Sequence, residues 1–140
     1  MKITIVAVGR IKERGLAEAC EDYVQRVRRV LPCEMIEVKA ADDLLARCPP
    51  RAERCLLDER GRELSSGELA SALGQRMNAG AAGIAFLIGG ADGVPATVRE
   101  QADWLLSLSR MTLAHRLARL VLCEQLYRAM TILRGEPYHR

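Results

Sequence analysis

The sequence predicts an α/β fold, a mostly parallel sheet flanked by helices on both faces. Three observations point there. Short apolar runs alternate with amphipathic stretches along the 140 residues, the pattern of successive βα units. The run Ile84–Ile88 is apolar throughout and stops abruptly at Gly89-Gly90, as a strand buried on both faces does. From Leu113 onward a helical pattern continues for about five turns. No internal repeat, low-complexity tract or linker interrupts the chain, so one domain over residues 1–140 is expected.

Taken in order, Lys2–Val8 (KITIVAV) reads as the first strand, closed by Gly9. Ile11–Leu31 places Leu16, Cys20, Tyr23, Val24, Val27, Val30 and Leu31 at three-and-four spacing, which predicts an amphipathic helix ended by Pro32. Glu34–Val38 alternates polar with apolar and predicts a second strand nearer an edge. Asp42–Arg47 predicts a short helix, stopped by Pro49-Pro50. Cys55–Asp58 predicts a brief third strand and Glu59–Glu63 a turn. Ser65 followed by Glu68 is a capping-box signature, opening a helix that runs toward Asn78-Ala79-Gly80. The strand ending at Ile88 follows, then a helix near Pro95–Asp103, the apolar run Trp104–Leu108 and the final helix.

Composition narrows the classes. Hydrophobic content of 49% and charged content of 28% describe an ordinary soluble globular chain. No apolar stretch approaches the roughly 20 residues of a membrane span, and Met1–Val6 lacks the features of a signal peptide; a cytoplasmic protein with no membrane partner is expected. A net charge of +3 permits a nucleic-acid partner without demanding one. Five cysteines, an odd count with no CxxC pair, argue against a disulfide framework and a zinc site. Two histidines make a histidine metal centre improbable, so no metal is expected.

Candidate chemistry gathers in the last third. A strand that ends in glycines leaves bare backbone at its carboxyl end, where ligands bind in open parallel sheets. The Gly-rich end after Ile88 and the Ser/Thr-rich end after Leu108 are placed to frame one small-molecule pocket. Neither GxGxxG nor GxxxxGK[ST] is present, so Gly89–Gly93 is no dinucleotide fingerprint. Ser109 and Thr112 lack a His/Asp partner pattern, and capping or backbone bonding accounts for them. Glu124 lies on a largely apolar helix face with Arg128 at i+4; a structural ion pair and a ligand role both stay open. Arg116 and Arg119 near the helix start oppose its dipole. Anion binding is one explanation, two solvated arginines the more frequent one. Tyr138-His139-Arg140 at the end of the chain either frays or stacks on a base and phosphate.

Five stretches, in order, carry a resemblance: MKITIVAVGRIKE, LLDERGRELSSGELA, IGGADG, SLSRMTLAHRLARLVLCEQLYRA and the terminal PYHR. Together they closely resemble the ribosomal RNA large subunit methyltransferase H family of the SPOUT superfamily. The resemblance implies a SPOUT fold with a C-terminal trefoil knot, S-adenosylmethionine (SAM) bound bent among the knot loops, and a homodimer whose active site uses both chains. It implies methylation of N3 of a pseudouridine in a 23S rRNA hairpin at the subunit interface, on the assembled ribosome. By position, it assigns cofactor contacts to Leu57, Gly89, Leu108, Ser109, Arg110, Met111, Thr112 and Leu113. It assigns catalysis or substrate placement to Glu124, Tyr138 and Arg140, and substrate contacts to His115, His139 and Arg140. Departures from the family are the short link Lys39–Arg54, Arg116 where many relatives carry glutamine, and Val94 where leucine is common. Residue types name no certain general base: Glu124 through a water, and His115, are the candidates. The rival reading is a SAM- or RNA-binding module without turnover. A flavodoxin-like signalling domain would need clustered acids at strand ends, and only Asp58 fits.

Overall fold

The computed structural model describes residues 1–139, His139 by its backbone alone. Five strands and four α-helices alternate: β1 (Lys2–Val8), α1 (Arg14–Arg28), β2 (Cys33–Val38), β3 (Glu53–Glu63), α2 (Ser66–Asn78), β4 (Gly83–Ile88), α3 (Ala96–Gln101), β5 (Trp104–Ser107) and α4 (His115–Leu133). The strands form one sheet in the order β2-β1-β4-β3-β5, and every neighbouring pair is parallel. β4 is the middle strand and all six of its residues are buried, which is why it reads as one uninterrupted apolar run.

Two layers cover the sheet. On one face Ile3, Ile5, Phe86 and Ile84 pack against Val24 and Val27 of α1, Leu69 and Leu73 of α2, and Leu122, Leu126 and Met130 of α4. On the other face Val6, Leu56, Ala85 and Leu87 meet Val98 of α3 and Leu44 and Cys48 of the β2–β3 link. The five cysteines are free and buried, and burial pushes the Cys33 thiol up to about 12. Among the described residues no helix is long and apolar enough to cross a membrane.

The capping box forms as expected: Ser65 Oγ accepts from the Glu68 amide at 3.1 Å, and Glu68 Oε1 accepts from the Ser65 amide at 2.8 Å. Three expectations need correction. The first helix is shorter than Ile11–Leu31, because its last turn tightens (the Val30 amide bonds Val27 O at 2.9 Å) ahead of Pro32. Asp42–Arg47 is not one helix but two 3₁₀ turns, Ala41–Asp43 and Leu45–Arg47, on either side of the fully buried Leu44. The third correction concerns β3. The expected turn Glu59–Glu63 lies inside a longer strand that leaves the ladder after Leu57 and resumes at Arg62, both residues facing Leu106. Residues 58–61 therefore loop outward and return. Gly61 makes the return possible, since a Cβ there would lie 2.6 Å from the Leu105 carbonyl carbon.

Candidate functional site

The carboxyl ends of β4, β3 and β5 lie side by side, and the start of α4 closes over them. Together they enclose a cavity of about 790 Å³, within the range that holds a small organic ligand. Leu57, Ile88, Leu106 and Leu108 supply its apolar wall, and the turn after β4 and the loop after β5 supply its rim. The two strand ends picked out by their glycines and hydroxyls thus do frame one pocket, with β3 between them.

The turn after β4 is tightly built. The Gly93 amide bonds Gly90 O at 3.0 Å, and Gly93 takes φ +74°, a conformation that favours glycine. A Cβ on Gly89 would lie 2.8 Å from Val94 Cγ1 and 3.1 Å from Gly93 O. Gly89 is therefore required by its own loop folding back on it, whatever else approaches.

The loop after β5 uses its hydroxyls on itself. Ser107 Oγ donates to Ser109 O at 3.0 Å, and Ser109 Oγ accepts from the Met111 amide at 3.0 Å. Thr112 Oγ1 donates to Glu59 Oε2 at 2.5 Å and fastens this loop to the β3 excursion. Ser109, Met111, Thr112 and Leu113 line the cavity. Arg110 is not among the lining residues and points to Glu63 at 3.6 Å. The N-cap of α4, Ala114, gives no side-chain cap, so the first-turn amides have no side-chain partner there and favour negative charge.

One carboxylate in the wall is pinned. Asp58 is nearly buried and accepts from Arg99 Nη2 at 2.6 Å, Arg99 Nε at 3.1 Å and the Arg60 amide at 2.9 Å. Burial pushes its pKa up, but the Arg60 amide and the Arg99 guanidinium overcome this and hold the carboxyl below its ordinary value. Asp58 is thus a fixed anion that anchors α3 to the pocket wall. Sequence alone missed Arg99, because a pairing across 41 positions leaves no local pattern.

Arg119 corrects another expectation. It is neither solvated nor free for an anion: only 1% of it is exposed. Its Nη1 bonds Glu37 Oε2 at 2.5 Å, and its Nη2 bonds Gly9 O at 3.0 Å. Arg116 is exposed and pairs with Glu13 at 3.3 Å. His115 lines both the main cavity and a smaller cleft of about 190 Å³ between Arg10, Lys12 and Arg116.

Glu124 lies elsewhere. It pairs with Arg128 Nη2 at 2.7 Å, so the i+4 ion pair forms. It also accepts from Gln125 Nε2 at 2.8 Å and from the Tyr138 hydroxyl at 2.9 Å. It lies nine positions after His115 on α4, about 14 Å along the axis. The structure brings Leu57, Gly89, Leu108, Ser109, Met111, Thr112, Leu113 and His115 together. It sets Glu124 and Tyr138 apart from them on the same chain. Arg140 and the side chain of His139 lie outside the described residues.

Known proteins share the sequence and the fold of this chain. The family described as "Predicted SPOUT methyltransferase" matches residues 1–139. The Ribosomal RNA large subunit methyltransferase H of Anaeromyxobacter sp. (strain Fw109-5) is 46% identical over 154 aligned positions, covering 100% of both chains. The protein of the same name from Thermus thermophilus is also 46% identical, over 100% of this chain and 99% of its own. Among solved structures, a probable methylase family protein from Haemophilus influenzae is similar in fold, with a TM-score of 0.58 and 12% identity, over 99% of this chain and 70% of that one.

Proposed function

Because the chain belongs to the SPOUT methyltransferase family, we propose that it methylates N3 of a pseudouridine in a 23S rRNA hairpin, on the assembled ribosome and with SAM as donor. One observation carries the reading: a pocket framed by the Gly89–Gly93 turn and the Leu108–His115 loop, in a chain 46% identical end to end to rRNA large subunit methyltransferases H.

The residues present fit SAM. Leu57, Ile88, Leu106 and Leu108 offer an apolar slot for the adenine ring. Backbone N–H and C=O groups of residues 108–113, other than the Ser109 carbonyl and the Met111 amide that the loop itself engages, suit its polar edge. The uncapped start of α4 favours a carboxylate. When bound, SAM supplies a methyl on a sulfonium, so that attack by N3 forms the N–C bond as the C–S bond breaks.

The chain then aligns the partners and excludes water. In this reading the N3 proton passes to a ring nitrogen of His115, the imidazole that lines both clefts. Asp58 is a poor base because Arg99 and the Arg60 amide already bond its oxygens and lower its affinity for a proton. Glu124 is filled by three donors away from the pocket. In this reading Glu124, Tyr138 and Arg140 serve the pocket of a second copy in a homodimer, and the loops around the cavity form a trefoil knot. The protein acts in the cytoplasm, where its ribosomal substrate is.

The test is to incubate the protein with methyl-labelled SAM and ribosomes, and then separate the nucleosides of 23S rRNA. Label in one N3-methylated pseudouridine, faster on ribosomes than on protein-free RNA, is the expected result. SAM binding without transfer would replace this reading with that of a binding module.

A further inference from the structure

All three tyrosines of the chain meet where α1, α4 and the C-terminal turn converge. The rings of Tyr23 and Tyr127 lie 6.0 Å apart, and those of Tyr127 and Tyr138 lie 4.7 Å apart, edge to face. Arg26, held by Asp22 at 3.1 Å, covers both Tyr23 and Tyr127. Arg128 covers Tyr138 at 5.0 Å while pairing with Glu124. The Tyr138 hydroxyl sits 2.9 Å from Glu124 Oε2 and 3.3 Å from the Tyr23 hydroxyl.

Proton counting fixes the direction of this chain of hydroxyls. A carboxylate only accepts, and each phenol has one proton to give. Tyr138 gives its proton to Glu124, so Tyr23 donates to Tyr138. Backbone geometry delivers Tyr138 to this spot: Gly135 takes φ +70°, and the Glu136 amide bonds Thr131 O at 2.8 Å, turning the chain back onto α4.

We propose that Tyr23 is a positioning residue for methyl transfer: with Glu124 it forms a two-point seat for the Tyr138 hydroxyl that fixes the C-terminal turn onto α1 and α4. This rests on the methyltransferase function proposed for the chain, in which the end of the chain serves the pocket of a second copy. It recasts Tyr138 and Glu124 as anchors rather than reacting groups, since the phenol is already bonded on both sides and the carboxylate holds three donors. A purely packing role for Tyr23 needs its ring and not its hydroxyl, and Tyr23→Phe separates the two.

Two measurements are made on full-length wild type and Tyr23→Phe. In the first, carboxypeptidase Y trims the C-terminus and mass spectrometry reads where trimming slows. Wild type is expected to keep Tyr138 after the residues beyond it are lost, whereas Tyr23→Phe releases Tyr138 several-fold faster. In the second, steady-state transfer to ribosomes is expected to show kcat lowered about three- to tenfold, the scale of one hydrogen bond. SAM affinity and thermal midpoint stay unchanged. Wild-type trimming in Tyr23→Phe overturns the seat. Faster trimming with wild-type kcat overturns its role in the reaction, as does a kcat loss matched by a fall in thermal midpoint. A wild type that transfers no methyl group defeats the methyltransferase reading instead, while the trimming comparison still decides whether the seat exists.

Discussion

Arg119 of α4 and Glu37 of β2 form an ion pair across 82 positions, with the arginine buried and the glutamate half exposed. Because Glu37 reaches water, losing the arginine strands mainly the carbonyls of Val8 and Gly9, which its Nη2 also bonds. Arg119→Met is expected to lower stability by about 1.5–3 kcal/mol, the worth of hydrogen bonds from a charged donor to partly buried carbonyls. Arg119→Lys should recover only part of it, because an ammonium keeps the charge but not the fork. Urea unfolding measures both. A methionine variant within about 0.5 kcal/mol of wild type would show that this contact does not hold the edge strand.

Gly89→Ala is expected to abolish SAM binding by displacing the loop rather than by occupying ligand space. The added methyl meets Val94 Cγ1 and the Gly93 backbone. Trimming the far side, Gly89→Ala with Val94→Ala, should restore part of the affinity in calorimetry. No recovery in a folded double variant would point to direct occlusion by the new methyl.

Asp58 carries a pH signature. Its folded pKa lies below the ordinary 3.8, so its stabilising effect is present above that value and is lost as pH falls through the lower folded value. Asp58→Asn should lower stability at pH 7 by about 1–3 kcal/mol. It should also flatten the loss of stability on acidification below about pH 4. Parallel stability-versus-pH curves for the two proteins would disprove the assignment to Asp58.

Deleting residues 138–140 should eliminate methyl transfer while sparing SAM binding, because Tyr138 is not among the described residues that line the pocket. Transfer at the full-length rate by the truncated protein would show the terminus to be dispensable.

Most of the fold was legible because its signals are local. The uninterrupted run of β4, the Ser65/Glu68 cap and the three-and-four spacing of α1 each sit within a few residues. The β3 excursion was not, since three charged residues and Gly61 look the same whether a chain turns away or returns to its ladder. The pocket-framing loops were visible from glycine and serine, and the Glu124–Arg128 pair from i+4 spacing. Asp58–Arg99, Arg119–Glu37 and Tyr23–Tyr138 were invisible, because only the folded sheet and helices bring those residues together.

The position of β4 bears on how the chain is made. The middle strand of the sheet is the fourth to leave the ribosome. Until residue 88 has emerged, β1 has β2 on one side and an open edge on the other, and β3 has no neighbour. With every pairing parallel, no hairpin forms early to shield these edges. A nascent chain released before Gly83 would present the open edge of β1 and an unpaired β3 to other chains, a condition for aggregation. Arrival of β4 closes both edges in one step, so the sheet's assembly is timed by translation past its centre.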